Sequence, residues 1–174
     1  MSDTDTLHEI EPRHFRAVMG RFATGVTVVT VSVGEELYGM TANAFMSGSL
    51  DPPLCVVSVA KRARLHRHLP AARDFAVNIL AAGQGDLANH FAGWPVPGVA
   101  VRAVEIDGIP ALADAAAHIT ATVVSNHDCG DHTIFVGHIK TMRADERPPL
   151  VYHAGRYAAL GPVYGPQTPL PEFW

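Results

Sequence analysis

Three groups of residues carry side chains able to do chemistry. The stretch from Gly39 to Val59, GMTANAFMSGSLDPPLCVVSV, opens with Thr41, Ala42 and Asn43, passes through Ser47, Gly48, Ser49 and Leu50, and turns at Asp51-Pro52-Pro53. Small and hydroxyl-bearing residues leave backbone N–H groups uncovered, so a planar or anionic ligand can come close and collect several hydrogen bonds. An ordinary strand-turn-strand corner would use the same residues. Next come Lys61, Arg62 and Arg64 around Ala63. Arginine offers a phosphate bidentate contacts and lysine a point charge, although a solvated helix start reads the same way. The third group is NHDCGDH, Asn126 to His132, with His127, Asp128, Asp131 and His132 close together.

Other chemistries find less support. The chain has ten histidines but no HExxH, and His66 and His68, two apart on an expected helix, point in different directions. The His127 to His132 cluster lies where hairpin turns commonly collect solvated Asp and His, so no metal site is expected. No serine lies in a GxSxG elbow, and Cys55 and Cys129 form neither a CxxC pair nor a disulfide framework. Neither GxGxxG after a strand nor GxxxxGK[ST] is present.

The elements that must position these groups are mostly strands. Pro12 starts a helix with Phe15, Val18, Met19 and Phe22 on one face, and Gly25 stops it. Val26 to Val33 is a β-branched strand whose hairpin partner is Leu37 to Thr41. Leu54 to Val59 follows, then a short helical segment that Pro70 ends or kinks. Phe75 to Leu80 is a buried strand, Gln84 to Phe91 a helix closed by Gly93, and Trp94 to Gly98 a surface loop able to act as a lid. Val99 to Ile106, His118 to Ser125 and Thr133 to Met142 are strands, with the polar turn Asn126 to His132 between the last two. Leu150 to His153 and Arg156 to Leu160 form a final hairpin about Ala154-Gly155. Seven or so strands in no repeating strand-helix order argue for a closed antiparallel barrel over a doubly wound sheet.

The bulk properties narrow the class. The 174 residues suit one domain, expected over 12–162 between a flexible tail 1–11 and an extended proline-rich tail 163–174. Thirteen basic against 17 acidic residues give a net charge of -4, which supports binding of neither nucleic acid nor an anionic membrane. The acidic, polar N-terminus is no secretory signal and no apolar run reaches membrane-span length, so a cytoplasmic location is expected.

Five segments, FATGVTVVT at 22–30, GMTANAFMSGSLDPPL at 39–54, FAVNIL at 75–80, GDHTIFVGHI at 130–139 and LVYHAGRYAAL at 150–160, together resemble the short-chain flavin reductases, the reductase components of two-component flavin monooxygenases. The resemblance spans about residues 12 to 162. It implies a mainly β fold, an antiparallel, Greek-key-like split β-barrel of the FMN-binding type with a few short flanking helices, assembled as a homodimer. It also implies hydride transfer from NADH, or NADPH, to FMN or FAD, and delivery of reduced flavin to a partner monooxygenase. On this resemblance Thr41, Ala42, Asn43, Ser47, Ser49 and Leu50 line the isoalloxazine edge. Lys61, Arg62, Ala63 and Arg64 take the flavin phosphate. Gly130, Asp131 and His132 belong to the nicotinamide side, with His132 orienting the nicotinamide, and Arg156 and Tyr157 lie near the flavin. The chain departs from the family at Ala44, Met46 and Ala63, where hydroxyl residues are usual. A related barrel holding its flavin as a prosthetic group, and a non-catalytic flavin-binding module, stay open as alternatives.

Overall fold

The computed structural model describes residues 10–161. The expected tail at 163–174, and that at 1–11 except for Ile10 and Glu11, lie outside the described residues. In chain order the elements are α1 (Pro12–Met19), β1 (Thr24–Gly25), β2 (Thr27–Val33), β3 (Glu36–Ala42), β4 (Phe45–Ser49), β5 (Leu54–Ala60), α2 (Arg64–Ala72), β6 (Asp74–Ile79), α3 (Gly85–Phe91), β7 (Ala103–Ile106), β8 (Ile109–Leu112), β9 (Ala117–Cys129), β10 (His132–Ala144), β11 (Leu150–His153) and β12 (Arg156–Ala159).

Seven strands form one antiparallel sheet in the order β3-β2-β6-β9-β10-β5-β4. β2 has five consecutive buried residues because the sheet is covered on both faces there. Val29 and Val31 join Val57, Val59, Phe75 and Phe135 in one apolar cluster, while Val28 joins Leu80, Leu112 and Leu150 in another. Leu65 and Leu69 of α2 drive into the first cluster. A β1-β11-β12 sheet and the β7-β8 hairpin pack around this frame.

The closed barrel expected from strand count is corrected to a split one. β3 and β4 are the two edges of the sheet and share no ladder. They are nevertheless consecutive in the chain, so Asn43 and Ala44 carry the backbone from one edge to the other, and the Ala44 carbonyl accepts from the Ser58 N–H at 3.0 Å. The sheet curls far enough for two residues to bridge its edges without joining them.

Other boundaries moved for physical reasons. α1 ends at Met19 with Gly20 as its C-cap, well before Gly25, which instead pairs with Val151 in β1. At its start the Glu11 carboxylate accepts from the Arg13 and His14 N–H groups. α2 runs through Pro70 to Ala72, since Leu65 and Leu69, both buried, anchor the face that a proline would otherwise free. The strand expected over Val99 to Ile106 shortens to β7, and its partner β8 was hidden by Pro110. That hairpin is held by polar groups: Thr30 donates to the Pro110 carbonyl at 2.7 Å, and Asn78 Oδ1 accepts from the Leu112 N–H at 2.7 Å. The turn expected over Asn126 to His132 shrinks to Gly130-Asp131, because Asn126 to Cys129 continue β9 and His132 begins β10. Gly130 takes a positive φ of 59°, which the absence of a Cβ makes inexpensive.

β9 and β10 are 13 residues each and carry irregularities at Val136/Gly137 and Ile139/Thr141 that bend the pair around the core. Gly137 sits at the first of these, and a Cβ there would lie 2.5 Å from the Phe75 ring. Gly137→Ala should therefore destabilise the fold by about 1–3 kcal/mol through overpacking. The urea unfolding midpoint will show the loss, and adding Phe75→Leu should recover part of it.

Candidate functional site

The bridge between the sheet edges places the first group of candidates. Ala42 is buried, while Asn43 and Ala44 are exposed. Thr41 spends its hydroxyl hydrogen on the Ala88 carbonyl at 2.6 Å, tying β3 to α3. Thr41 and Asn43 line a cleft of about 210 Å³ together with Val26, Ala92, Tyr152 and Tyr157. Burial, and then the neighbouring Tyr152, raise the Tyr157 phenol above its ordinary pKa.

Ala92 also belongs to a larger cleft of about 670 Å³, between β3, the start of α2 and the end of α3. Its walls include Tyr38, Gly39, Met40, Ala63, Arg64, His90 and Phe91. α2 begins here with Ala63 as N-cap, and Ala63 offers no side-chain acceptor to the first-turn N–H groups. Those donors and the positive end of the helix dipole, with Arg64 beside them, favour an anion.

Just upstream of α2 the antiparallel pairing of β5 with β10 sets His132 opposite Ala60. The Lys61 N–H donates to the Asp131 carbonyl at 2.9 Å, and Lys61 Nζ lies 3.3 Å from an Asp128 carboxylate oxygen. The second and third groups of candidates, separated by some 70 positions in the chain, are thus neighbours. His132 Nδ1 meets Asp131 Oδ1 at 2.7 Å. That hydrogen bond, and then the imidazole's charge, hold the Asp131 carboxyl below the usual carboxylate range.

The remaining candidates are set apart. Ser47 and Ser49 lie on edge strand β4 opposite Cys55 and Leu54. Leu50, 77% exposed, is in the turn beyond them. Lys61 is roughly 20 Å further along β5 from this end. Arg156 is exposed at the mouth of the last hairpin, beside the Ala154-Gly155 turn.

Sequence reasoning missed Tyr38, Met40, His90 and Phe91 as cleft walls. Gly39 within a strand was the available signal for a close approach: a Cβ there would lie 2.5 Å from the Phe91 ring. His90 Nδ1 is buried without a hydrogen-bond partner among the described residues. No three His, Cys, Asp or Glu side chains among these residues are placed to hold a metal ion. No described helix is long and apolar enough to cross a membrane.

Residues 19–161 match the flavin reductase like domain. The chain is 41% identical over 155 residues to an NADH-dependent flavin reductase of Rhodococcus sp, covering 87% of this chain and 88% of the relative. It is also 41% identical over 147 residues to the reductase component of 4-hydroxyphenylacetate 3-monooxygenase of Thermus thermophilus, covering 84% and 95%. The structure of the Streptomyces globisporus NADH:FAD oxidoreductase in complex with NAD and FAD fragments superposes with a TM-score of 0.81, at 40% identity over 88% of this chain and 97% of that one.

The Asp131–His132 pair makes a pH prediction. A carboxyl held below its unfolded pKa favours the folded state above the unfolded value, and loses that contribution as pH falls through the folded one. His132→Ala should return Asp131 to the ordinary carboxylate range, as read by NMR titration of side-chain carboxyl carbons.

Proposed function

The chain belongs to the flavin reductase-like family, and on that premise we propose that it transfers a hydride from NADH to FMN or FAD and releases reduced flavin to a partner flavin-dependent monooxygenase. The observation that carries this reading is the side-chain-uncapped start of α2, which opens beside Arg64 onto the 670 Å³ cleft while the Asp131–His132 turn docks against Lys61 immediately upstream. One helix end thereby gathers an anion site and a His-bearing turn.

The residues fit a flavin nucleotide. The α2 N–H groups, Arg62 and Arg64 would take its phosphate, and they do so without a hydroxyl at Ala63. Lys61 contributes less, because Asp128 already engages it. Thr41, Ala42 and Asn43 would face the ring edge, with Asn43 and backbone donors carrying the recognition that Ala44 and Met46 cannot, whereas Ser47, Ser49 and Leu50 line neither cleft. Tyr157, and Arg156 beyond it, would close the ring side from the last hairpin. When bound, the flavin supplies the hydride-accepting chemistry.

The protein's part is alignment and exclusion of water, since no side chain need touch the moving hydride. Gly130 sets the turn, Asp131 holds Nδ1 of His132, and the opposite imidazole nitrogen is left to orient the nicotinamide. The apolar face of α1, with Phe15, Val18 and Met19 each more than half exposed, and Phe22 just beyond it at 74%, would be covered by a second copy in a homodimer. Two free cysteines and dependence on NADH suit the reducing cytoplasm.

Purified protein given NADH and free FMN or FAD should consume NADH only when flavin is present. Absence of flavin-dependent oxidation with either NADH or NADPH would overturn the reading. Arg64→Ala should raise the flavin KM about tenfold or more by removing a charged hydrogen bond. His132→Ala should instead raise the NADH KM and leave that for flavin nearly unchanged.

A further inference from the structure

α2 is fastened to the rest of the molecule in two ways. Leu65 and Leu69 bury themselves in the first apolar cluster, and between them His66, in the first turn, reaches across to β10. His66 Nε2 lies 2.9 Å from Thr133 Oγ1. The same ring meets that of Phe135, two residues further along β10, edge-on, with centroids 5.8 Å apart and planes at 70°. Among the described residues, this is the one side-chain hydrogen bond that joins α2 to another element. Thr133 is buried, so a hydroxyl left without its partner there would be costly. The hydride-transfer arrangement described above uses neither His66 nor Thr133.

Both ends of this bond adjoin functional groups. His66 stands two residues after Arg64, in the helix turn whose N–H groups favour an anion. Thr133 follows His132 directly and pairs with Val59 of β5. Successive residues of a strand point to opposite faces, so holding Thr133 from the core side fixes the backbone that carries His132 and leaves the imidazole itself unencumbered. We propose that His66 is a positioning residue: through Thr133 it latches the start of α2 to the first residues of β10, and so keeps the anion site and the Asp131–His132 turn in one fixed relation. Its catalytic consequence rests on the flavin reductase reading. His66 lines neither cleft, so it contributes little to the affinity for either cofactor. Hydride transfer is steeply sensitive to alignment, and the latch therefore acts on the rate of the bound complex.

Amide hydrogen exchange on the cofactor-free protein reads the latch directly, since the Lys61 N–H is held by the Asp131 carbonyl of the turn. His66→Phe keeps a ring against Phe135, and Thr133→Val keeps the shape of its side chain. Each should speed exchange at Lys61 about fivefold, the order that one hydrogen bond supplies. The two together should do no more than either alone, because they remove the same bond. His66→Gln, whose amide nitrogen can stand where Nε2 does, should restore protection. At saturating NADH and flavin, His66→Phe and Thr133→Val should each lower kcat about tenfold, with both KM values moving by less than about twofold. Unchanged exchange at Lys61, additive losses, faster exchange throughout the sheet, or a raised KM at constant kcat would overturn the latch. Should His66→Phe fail to fold, Thr133→Val decides alone. Failure of the reductase reading would show separately, as a latch upheld by exchange in a protein that oxidises no NADH.

Discussion

The two edge strands of the main sheet are joined by two residues. β3 and β4 sit at opposite ends of a seven-stranded order, yet only Asn43 and Ala44 separate them in the chain. Consecutive Cα atoms are about 3.8 Å apart, so such a link forces the sheet to curl until its edges nearly meet. The long β9–β10 pair supplies the curvature through its irregularities, and Gly137 leaves room for Phe75 at the first of them. Closure stops short because the edges share no ladder, and the seam exposes backbone beside Thr41 to Ala44.

Covering the curled sheet on both faces follows from the same constraint. β2 sends Val29 and Val31 to one apolar cluster and Val28 to the other. Between them Asn78, fully buried, donates to the Val28 carbonyl at 2.8 Å and accepts from the Leu112 N–H at 2.7 Å. A buried amide with its bonds made is tolerable where an unpaired one would be costly. It staples the β7-β8 hairpin to the frame. α2 plugs the opposite side through Leu65 and Leu69, which leaves its N-terminus at the cleft mouth.

The site therefore gathers at places where regular structure ends: the seam, the start of α2 and the two-residue turn of β9–β10. Backbone donors there are free of ladders, and small residues keep them open. The pairing of His132 with Ala60 is what brings a turn near position 131 beside a segment near position 61. Thr41 illustrates a division of labour, for its hydroxyl serves the β3–α3 junction and leaves Asn43 nearer the cleft opening.

Local chemistry made much of this legible in the chain. The β-branched run of β2, the Ala154-Gly155 hairpin and the Gln84 start of α3 are written in residue type and period, because a strand or a turn answers to its own few residues. The three candidate groups at 41–50, 61–64 and 130–132 could likewise be found from side-chain types, and the five matching segments assigned the family. What residue types could not say was which edges meet, how far β9 and β10 run before they turn, or that Pro110 sits in a strand. Nor could they show that Tyr38, His90 and Phe91 wall the larger cleft. Those features depend on contacts between positions tens of residues apart, whose balance of packing and buried hydrogen bonds exists only once the sheet has curled.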